Sequence, residues 1–310
     1  MRKYVQPISA ALLVLFLVGC SRTKFDGSTV EDTITGEEPK ESVSFQRAPA
    51  QQEEEQEQQQ EEAAQQVTET LMDLSGVFQG IQGCAVIYSP EKDQYAFYDK
   101  NLSEQGASPY STFKIISTLS GLQNGVLENE ESKMNYTGIV YGNPAWNGDL
   151  TLKEAFQNSC VWYFRQVVDK IGESKMQEEL QGLLYGNCDI SEWSGSSLNS
   201  REELNGFWLG SSLKISPLEQ VKVLTQIFEG QSNYQESHIE LLKNIMLVQE
   251  NGDTKVYGKT GSGGNGEAWF VGFSETDGER DYFAIFLMDR EQKEKVSGNK
   301  AKEIALEIFS

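Results

Sequence analysis

The chain has 310 residues, enough for one large domain or two small ones. It carries 26 basic and 47 acidic side chains and a net charge of −21, so nucleic acid and anionic lipid headgroups are poor partners for its surface. It has a single histidine, His238, in a polar stretch. A Ser-His-Asp triad or a histidine-rich metal site would have to use that residue. We therefore predict no metal site, and lysine or carboxylate as the base of any hydrolytic chemistry.

Residues 1–19 are predicted to be an export signal. Arg2 and Lys3 precede an apolar run over 8–18, which is too short to span a membrane comfortably. The run ends in Leu17-Val18-Gly19-Cys20, which resembles the bacterial lipobox. The resemblance implies cleavage before Cys20 and lipidation of Cys20 by fatty acyl chains such as palmitate. It also implies an extracytoplasmic protein, lipid-anchored to the bacterial cell membrane. An ordinary signal with a coincidental cysteine is the alternative.

Residues 20–66 are predicted to be a solvated tether. Residues 21–66 hold twelve acidic and four basic side chains, and 51–66 contain only Glu, Gln and Ala. Such a composition cannot bury enough apolar surface to form a core. We expect this segment to separate the lipid anchor from a folded catalytic domain over 67–310.

The order of strand and helix patterns over 67–310 predicts an α+β domain. It has an antiparallel sheet built from both chain ends, flanking helices and a mostly helical insert. Helices are predicted over 68–81, from Ser111 to Gly125, over 151–171 with an interruption at Asn158-Ser159, over 215–228, 236–248 and 299–309. Strands are predicted over 84–88, 94–98, 254–262, 268–273 and 282–288.

The stretch Ser108-Pro109-Tyr110-Ser111-Thr112-Phe113-Lys114 is the candidate centre of the chemistry. Ser111 and Lys114 are three residues apart at a helix start and share a face. A hydroxyl beside an amine suits acyl transfer, in which the serine attacks a carbonyl and the amine takes its proton. On its own, this motif is equally consistent with a capped core helix.

Four later motifs follow in a fixed order: Ser159-Cys160-Val161, Tyr185-Gly186-Asn187, Phe207-Trp208-Leu209 and Lys259-Thr260-Gly261. Gly261 on a strand permits close approach of a substrate backbone. Each motif alone is weak, since a second Tyr-Gly-Asn occurs at 141–143. Together and in this order, they resemble the class D β-lactamases, the oxacillinase family of serine penicillin-recognising enzymes. The resemblance covers essentially all of residues 80–310.

The resemblance implies β-lactam hydrolysis through an acyl-serine. Ser111 would be the nucleophile, Lys114 an N6-carboxylysine that acts as general base, and Ser159 a proton relay. Lys259 and Thr260 would face the substrate carboxylate, and the backbone N–H groups of Ser111 and Ser262 would form the oxyanion hole. The remaining substrate-site residues would be Trp208, as donor to the carbamate, Val161, as an apolar wall, and Gly261. Carbon dioxide or bicarbonate would be needed to carboxylate the lysine, with no other cofactor.

The chain also departs from the family pattern. Residues 188–207 are longer than usual and contain a second tryptophan, Trp193, which is a competing carbamate donor. The arginine that the family often places near the last helix is absent from 295–300, where Lys300 is a candidate point charge. Three cysteines remain after Cys20, namely Cys84, Cys160 and Cys188, and no disulfide is predicted from them.

Three other functions remain open from the sequence. A β-lactam sensor would have the same site and stay acylated. A D,D-peptidase-type penicillin-binding protein would act on cell-wall peptides, and a structural lipoprotein would keep the motifs without activity. The sequence indicates a small-molecule lactam and a membrane anchor as partners, with no nucleic acid and no protein partner.

Overall fold

The computed structural model describes residues 67–289, 291 and 296–309. The predicted signal, the lipidated Cys20 and the tether lie outside these residues. Among the described helices, none combines the length and apolar character needed to cross a bilayer.

The described strands lie in two groups near the two ends of the domain, and most of the helices lie between these groups. The strands are β1 (Thr68–Leu71), β2 (Gly83–Ser89), β3 (Gln94–Tyr98), β4 (Leu247–Asn251), β5 (Thr254–Ser262), β6 (Glu267–Thr276) and β7 (Glu279–Met288). The helices are α1 (Ser75–Phe78), α2 (Lys100–Ser103), α3 (Lys114–Gln123), α4 (Leu152–Gln157), α5 (Val161–Ile171), α6 (Glu173–Gly182), α7 (Pro217–Phe228), α8 (Glu236–Met246) and α9 (Gly298–Ile308).

The strands form one seven-stranded sheet in the order β1-β3-β2-β7-β6-β5-β4. N-terminal strands pair with C-terminal ones through the antiparallel β2–β7 contact. The prediction of an α+β fold with a sheet built from both chain ends is therefore confirmed. The β1–β3 pair at one edge is parallel.

Hydrophobic side chains cover both faces of the sheet. On one face, Trp269, Val271 and Phe286 join a large core with the helices between β3 and β4. On the other, Phe270 and Ile285 pack with apolar side chains of α9. In this second layer the start of α9 lies directly against β5. A Cβ added at Gly298 would be only 2.7 Å from Cβ of Thr260.

The helix predicted over 68–81 is wrong. Residues 68–71 form β1, with Thr68 opposite Gln94 of β3, and only Ser75–Phe78 is helical. Asp73 accepts a hydrogen bond from the backbone N–H of Ser75 at 3.1 Å, a local side-chain turn that competes with a continuous helix. Threonines at 68 and 70 favour the strand.

The helix predicted over 236–248 is too long. It ends at Met246, and the next residues form β4, which pairs with β5. The apolar residues Leu247 and Val248 continue the hydrophobic run across this boundary, so periodicity alone did not separate helix from strand. The interruption predicted at Asn158-Ser159 is confirmed as the break between α4 and α5.

We predict that Gly272→Ala destabilises the sheet beside the site. A Cβ there would lie 1.9 Å from the backbone oxygen of Tyr257 in β5, so the two strands must shift. Overpacking of this kind costs about 2 kcal/mol, which lowers Tm by roughly 4–8 °C in a domain of this size. Gly148→Ala is the control, because nothing lies within 4 Å of its Cβ. Equal melting temperatures for the two variants would contradict the prediction.

Candidate active site

The Ser111 hydroxyl and the Lys114 amine are in direct contact. Ser111 lies in a 3-10 turn, Tyr110–Phe113, which runs into α3 at Lys114. Nζ of Lys114 donates a hydrogen bond to Oγ of Ser111 at 2.9 Å. The turn begins with Tyr110 in the left-handed region, at φ +49°. A non-glycine residue is uncommon there, and such strain clusters at functional sites.

Lys114 is fully buried. Its amine lies 5.4 Å from the centre of the Phe164 ring. Burial lowers the pKa of Lys114 to about 7, and the neighbouring Cys160 thiol opposes the shift. The cause is desolvation, since an ammonium loses its hydration in this pocket. The amine is therefore available in its neutral form near physiological pH.

A second buried amine faces the second serine. Nζ of Lys259 in β5 donates to Oγ of Ser159, and to the carbonyl and hydroxyl oxygens of Thr260 at 3.0 and 3.3 Å. Ser159 lies between α4 and α5 with φ +52°. Burial, followed by the charges of Lys114 and Lys302, holds the pKa of Lys259 well below its usual range. The site thus joins two serines and two lysines from three separate segments.

Strand β5 packs directly against the nucleophile turn. A Cβ on Gly261 would lie 3.0 Å from the backbone oxygen of Pro109, so glycine permits this approach. The next residue, Ser262, is exposed, and its hydroxyl accepts from the backbone N–H of Gly298 at 2.8 Å. The two predicted oxyanion donors, Ser111 and Ser262, therefore belong to segments in contact.

Trp208 is buried in an aromatic cluster beside Lys114. Its ring lies 5.5 Å from the Phe113 ring, and its backbone oxygen accepts from the N–H of Tyr110 at 3.0 Å. Within the described part of the chain, its indole N–H has no hydrogen-bond acceptor. The Trp193 indole, by contrast, donates to Asp169 at 3.3 Å. Of the two tryptophans, Trp208 has the free donor.

The insert over 188–207 is fixed to α5 by Arg165. This buried guanidinium pairs with Asp169 and donates to the backbone oxygen of Trp193 at 2.6 Å. It also lies 5.9 Å from the Trp208 ring. The insert thereby contacts the cluster that surrounds Trp208.

The structure also locates the remaining candidates. Val161 is half-buried at the start of α5, next to the fully buried Cys160. Cys84, Cys160 and Cys188 are all free thiols. His238 is half-buried and contacts Gln123 at 3.3 Å. No cluster of metal-ligating side chains occurs among the residues described.

Sequence reasoning missed two residues at the site, Phe164 and Tyr110. Cys160, the residue just before α5, and Phe164 on α5 are four apart, and this spacing was a usable signal that both face Lys114. The hydroxyl of Tyr110 contacts Asn265 at 3.0 Å and Glu267 at 3.2 Å. No pattern in the sequence indicated these two contacts, because the partners are far from Tyr110 along the chain. Lys300 forms an ion pair with Glu303 at 3.5 Å, so its positive charge already has a partner on the same helix.

We predict that Lys114 titrates near neutrality in buffer free of carbon dioxide. Because burial lowers its pKa to about 7, the amine is an ammonium below that pH and neutral above it. Carbon NMR of protein with labelled lysine would follow the titration, and Lys114→Met would assign the resonance. A midpoint near 10.4, the ordinary value for lysine, would contradict the prediction.

Comparisons with a family model, with related sequences and with solved structures all point to one protein family. The model of the penicillin binding protein transpeptidase domain matches residues 82–310. The Regulatory protein BlaR1 of Staphylococcus aureus is 34% identical over 243 residues, which cover 77% of this chain and 39% of that protein. The chain therefore spans about two fifths of that relative's length.

Two solved structures resemble the fold closely. A class D β-lactamase from Bacillus subtilis is 33% identical with a TM-score of 0.68, covering 76% of this chain and 94% of that one. The C-terminal domain of the Bacillus licheniformis BlaR penicillin-receptor is 31% identical with a TM-score of 0.69, covering 78% and 95%. The chain belongs to the penicillin-binding protein transpeptidase family, and its described domain has the class D β-lactamase fold.

Proposed function

We propose that this protein hydrolyses β-lactams through an acyl-serine intermediate formed on Ser111. The observation that carries the proposal is the 2.9 Å contact between the Ser111 hydroxyl and a buried amine whose pKa is about 7. A neutral amine at this distance can accept the hydroxyl proton as the oxygen attacks. An exposed lysine would be charged at the same pH and would be unable to do so.

Acylation needs a second proton transfer. When Oγ of Ser111 bonds to the lactam carbonyl carbon, the ring C–N bond breaks and the nitrogen must be protonated. Ser159, whose hydroxyl oxygen contacts Lys259, is the proposed relay, and it would pass to the nitrogen the proton that Lys114 accepted from Ser111. The backbone N–H groups of Ser111 and Ser262 would stabilise the oxyanion, and one such donor contributes about 2.7–4 kcal/mol in well-studied enzymes.

Deacylation needs a base for water, and the residues around Lys114 fit an N-carboxylated lysine. A neutral amine can react with carbon dioxide, and the free indole N–H of Trp208 and the Ser111 hydroxyl are suitable donors to an anion. When formed, the carbamate would supply a base that remains ionised at neutral pH. Val161 and Phe164 would keep water from this pocket, which strengthens each hydrogen bond to the anion.

The substrate would lie along β5. Gly261 leaves room for its backbone-like amide, and Thr260 and Lys259 present a hydroxyl and an amine to its carboxylate. The proposal extends to the rest of the chain: lipidation at Cys20 and a tether over 20–66 would hold the domain outside the cell at the membrane. This part rests on the sequence alone.

A β-lactam receptor is the second candidate, favoured by the likeness to the BlaR penicillin-receptor domain. It would use the same Ser111 but keep the acyl group. A D,D-peptidase is the third candidate and would act on acyl-D-Ala-D-Ala peptides. The three functions differ in the fate of the acyl group on Ser111 and in the kind of carbonyl that Ser111 attacks.

Turnover of a chromogenic cephalosporin by the purified full-length protein separates these functions. We expect linear product formation over many equivalents in bicarbonate buffer. Lys114→Ala should lower turnover by about 10²–10⁴-fold and leave an acyl group on Ser111, detectable by mass spectrometry. Lys153→Ala is the control, since Lys153 is an exposed lysine paired with Glu130.

A burst of one equivalent from the wild-type protein would instead identify a receptor. Turnover of acyl-D-Ala-D-Ala peptide without lactam hydrolysis would identify a peptidase. Wild-type turnover by Lys114→Ala would remove Lys114 from the mechanism.

A further inference from the structure

The side chain of Tyr110 connects the nucleophile turn to the turn between β5 and β6. Tyr110 directly precedes Ser111, and it is buried. Its hydroxyl lies 3.0 Å from the amide oxygen of Asn265 and 3.2 Å from a carboxylate oxygen of Glu267. Both partners come soon after Ser262, the last residue of β5. One side chain therefore joins the two segments whose backbone N–H groups, at Ser111 and Ser262, are the proposed oxyanion donors.

Glu267 is the stronger acceptor for this hydroxyl. A tyrosine has one hydroxyl proton, and a carboxylate accepts it in a stronger hydrogen bond than an amide oxygen does. Burial, followed by the charge of Glu267, raises the pKa of Tyr110, so the hydroxyl keeps its proton at neutral pH. The bond from Tyr110 to Glu267 is therefore a charge-assisted connection between the two segments.

The ring of Tyr110 also packs against the backbone of the β5–β6 turn. A Cβ at Gly263 would lie 2.3 Å from Cζ of the ring, so glycine permits this close approach. The neighbouring Gly264 has nothing within 4 Å of its Cβ position. Neither glycine has its φ in the left-handed region, so alanine is compatible with the backbone at both. A methyl group would thus displace the ring at residue 263 but not at 264.

The connection made by Tyr110 complements one on the other side of Ser262. There, β5 lies against the nucleophile segment at Gly261, whose Cβ would be 3.0 Å from the backbone oxygen of Pro109. That contact locates the strand before residue 262, and Tyr110 locates the turn after it. Ser262 is thereby held from both sides relative to the nucleophile.

We propose that Tyr110 is a positioning residue for the oxyanion hole. Its hydrogen bond to Glu267 fixes the distance between the backbone N–H groups of Ser111 and Ser262. The inference rests on the proposed function, since it takes these two groups as the donors to the acyl oxygen. Both must reach the same oxygen at once, and a misplacement of about 1 Å can lower a rate by about 10²-fold. Tyr110 acts through the spacing of the donors and not by touching the substrate.

The first test removes the hydrogen bond and keeps the ring. The second-order rate constant for acylation of Ser111 by a penicillin is measured, from kcat/KM if the acyl group is released and from mass increase if it stays. We expect Tyr110→Phe and Glu267→Ala each to lower it by about tenfold. Glu267→Gln keeps an oxygen acceptor and should restore most of the rate. The double variant Tyr110→Phe/Glu267→Ala should lose no more than either single one, because both remove the same contact.

The control for the tyrosine is Tyr88→Phe. The Tyr88 hydroxyl makes a similar bond to a carboxylate oxygen of Asp93, at 3.0 Å, but it belongs to β2 and lies outside the site. This variant should be acylated at the wild-type rate.

The second test moves the ring and measures the oxyanion hole itself. Gly263→Ala should lower the acylation rate constant by about tenfold, and Gly264→Ala should leave it unchanged. A boronic acid forms a tetrahedral adduct on Ser111 that resembles the transition state, with one oxygen between the two donors. Its affinity should fall in parallel with the rate constant in Tyr110→Phe and Gly263→Ala. A merely structural role would lower Tm and leave this affinity unchanged at 25 °C.

Wild-type acylation of Tyr110→Phe would overturn the inference. So would equal losses in Gly263→Ala and Gly264→Ala, or in Glu267→Gln and Glu267→Ala. If Tyr110→Phe does not fold, the Glu267 variants give the same comparison.

Failure of the proposed function gives a different result. If no lactam acylates the wild-type protein, the proposed function fails, and the same variants are compared by the rate at which a fluorophosphonate labels Ser111. The phosphoryl oxygen of that probe also takes on negative charge during attack, so the tenfold loss in Tyr110→Phe should persist. Absence of labelling by both probes would overturn the proposed function and the inference together.

Discussion

The desolvation of Lys114 is the constraint on which the rest of the site depends. In water, its amine would be protonated at neutral pH and useless as a base. Full burial beside Phe164 lowers the pKa to about 7. The cost of burying a potential cation is limited because the group gives up its proton instead of its hydration. A polar side chain in the core is thereby converted into a reactive neutral amine.

The fold provides this pocket by bringing distant segments together. The nucleophile turn and α3 supply Ser111 and Lys114, the α4–α5 break supplies Ser159, and β5 supplies Lys259. Each connection is held by ordinary packing, such as the Trp269 indole donating to the backbone oxygen of Ser108 at 3.0 Å. Because the sheet is built from both chain ends, the site forms only when the whole described domain is folded.

Much of this arrangement was predictable from the sequence, and the exceptions have physical reasons. The limits of β3 and β5 were correct, since β-branched and aromatic residues alternate there between turn signals. The strand at 68–71 was missed because it is short and its residues are exposed, so no apolar alternation marks it. Motif order identified the residues that meet at Ser111. The free Trp208 donor depends on contacts between residues distant in the sequence, which motif order does not show.

The most direct test of the central claim is carbon NMR of the wild-type protein in ¹³C-labelled bicarbonate near pH 8. A pocket that keeps Lys114 neutral and offers the Trp208 indole to an anion predicts a bound carbamate resonance. The resonance should be absent from Lys114→Met and much weaker in Trp208→Phe, which keeps an aromatic ring but has no donor. The absence of any protein-bound carbamate signal at saturating bicarbonate would contradict the account.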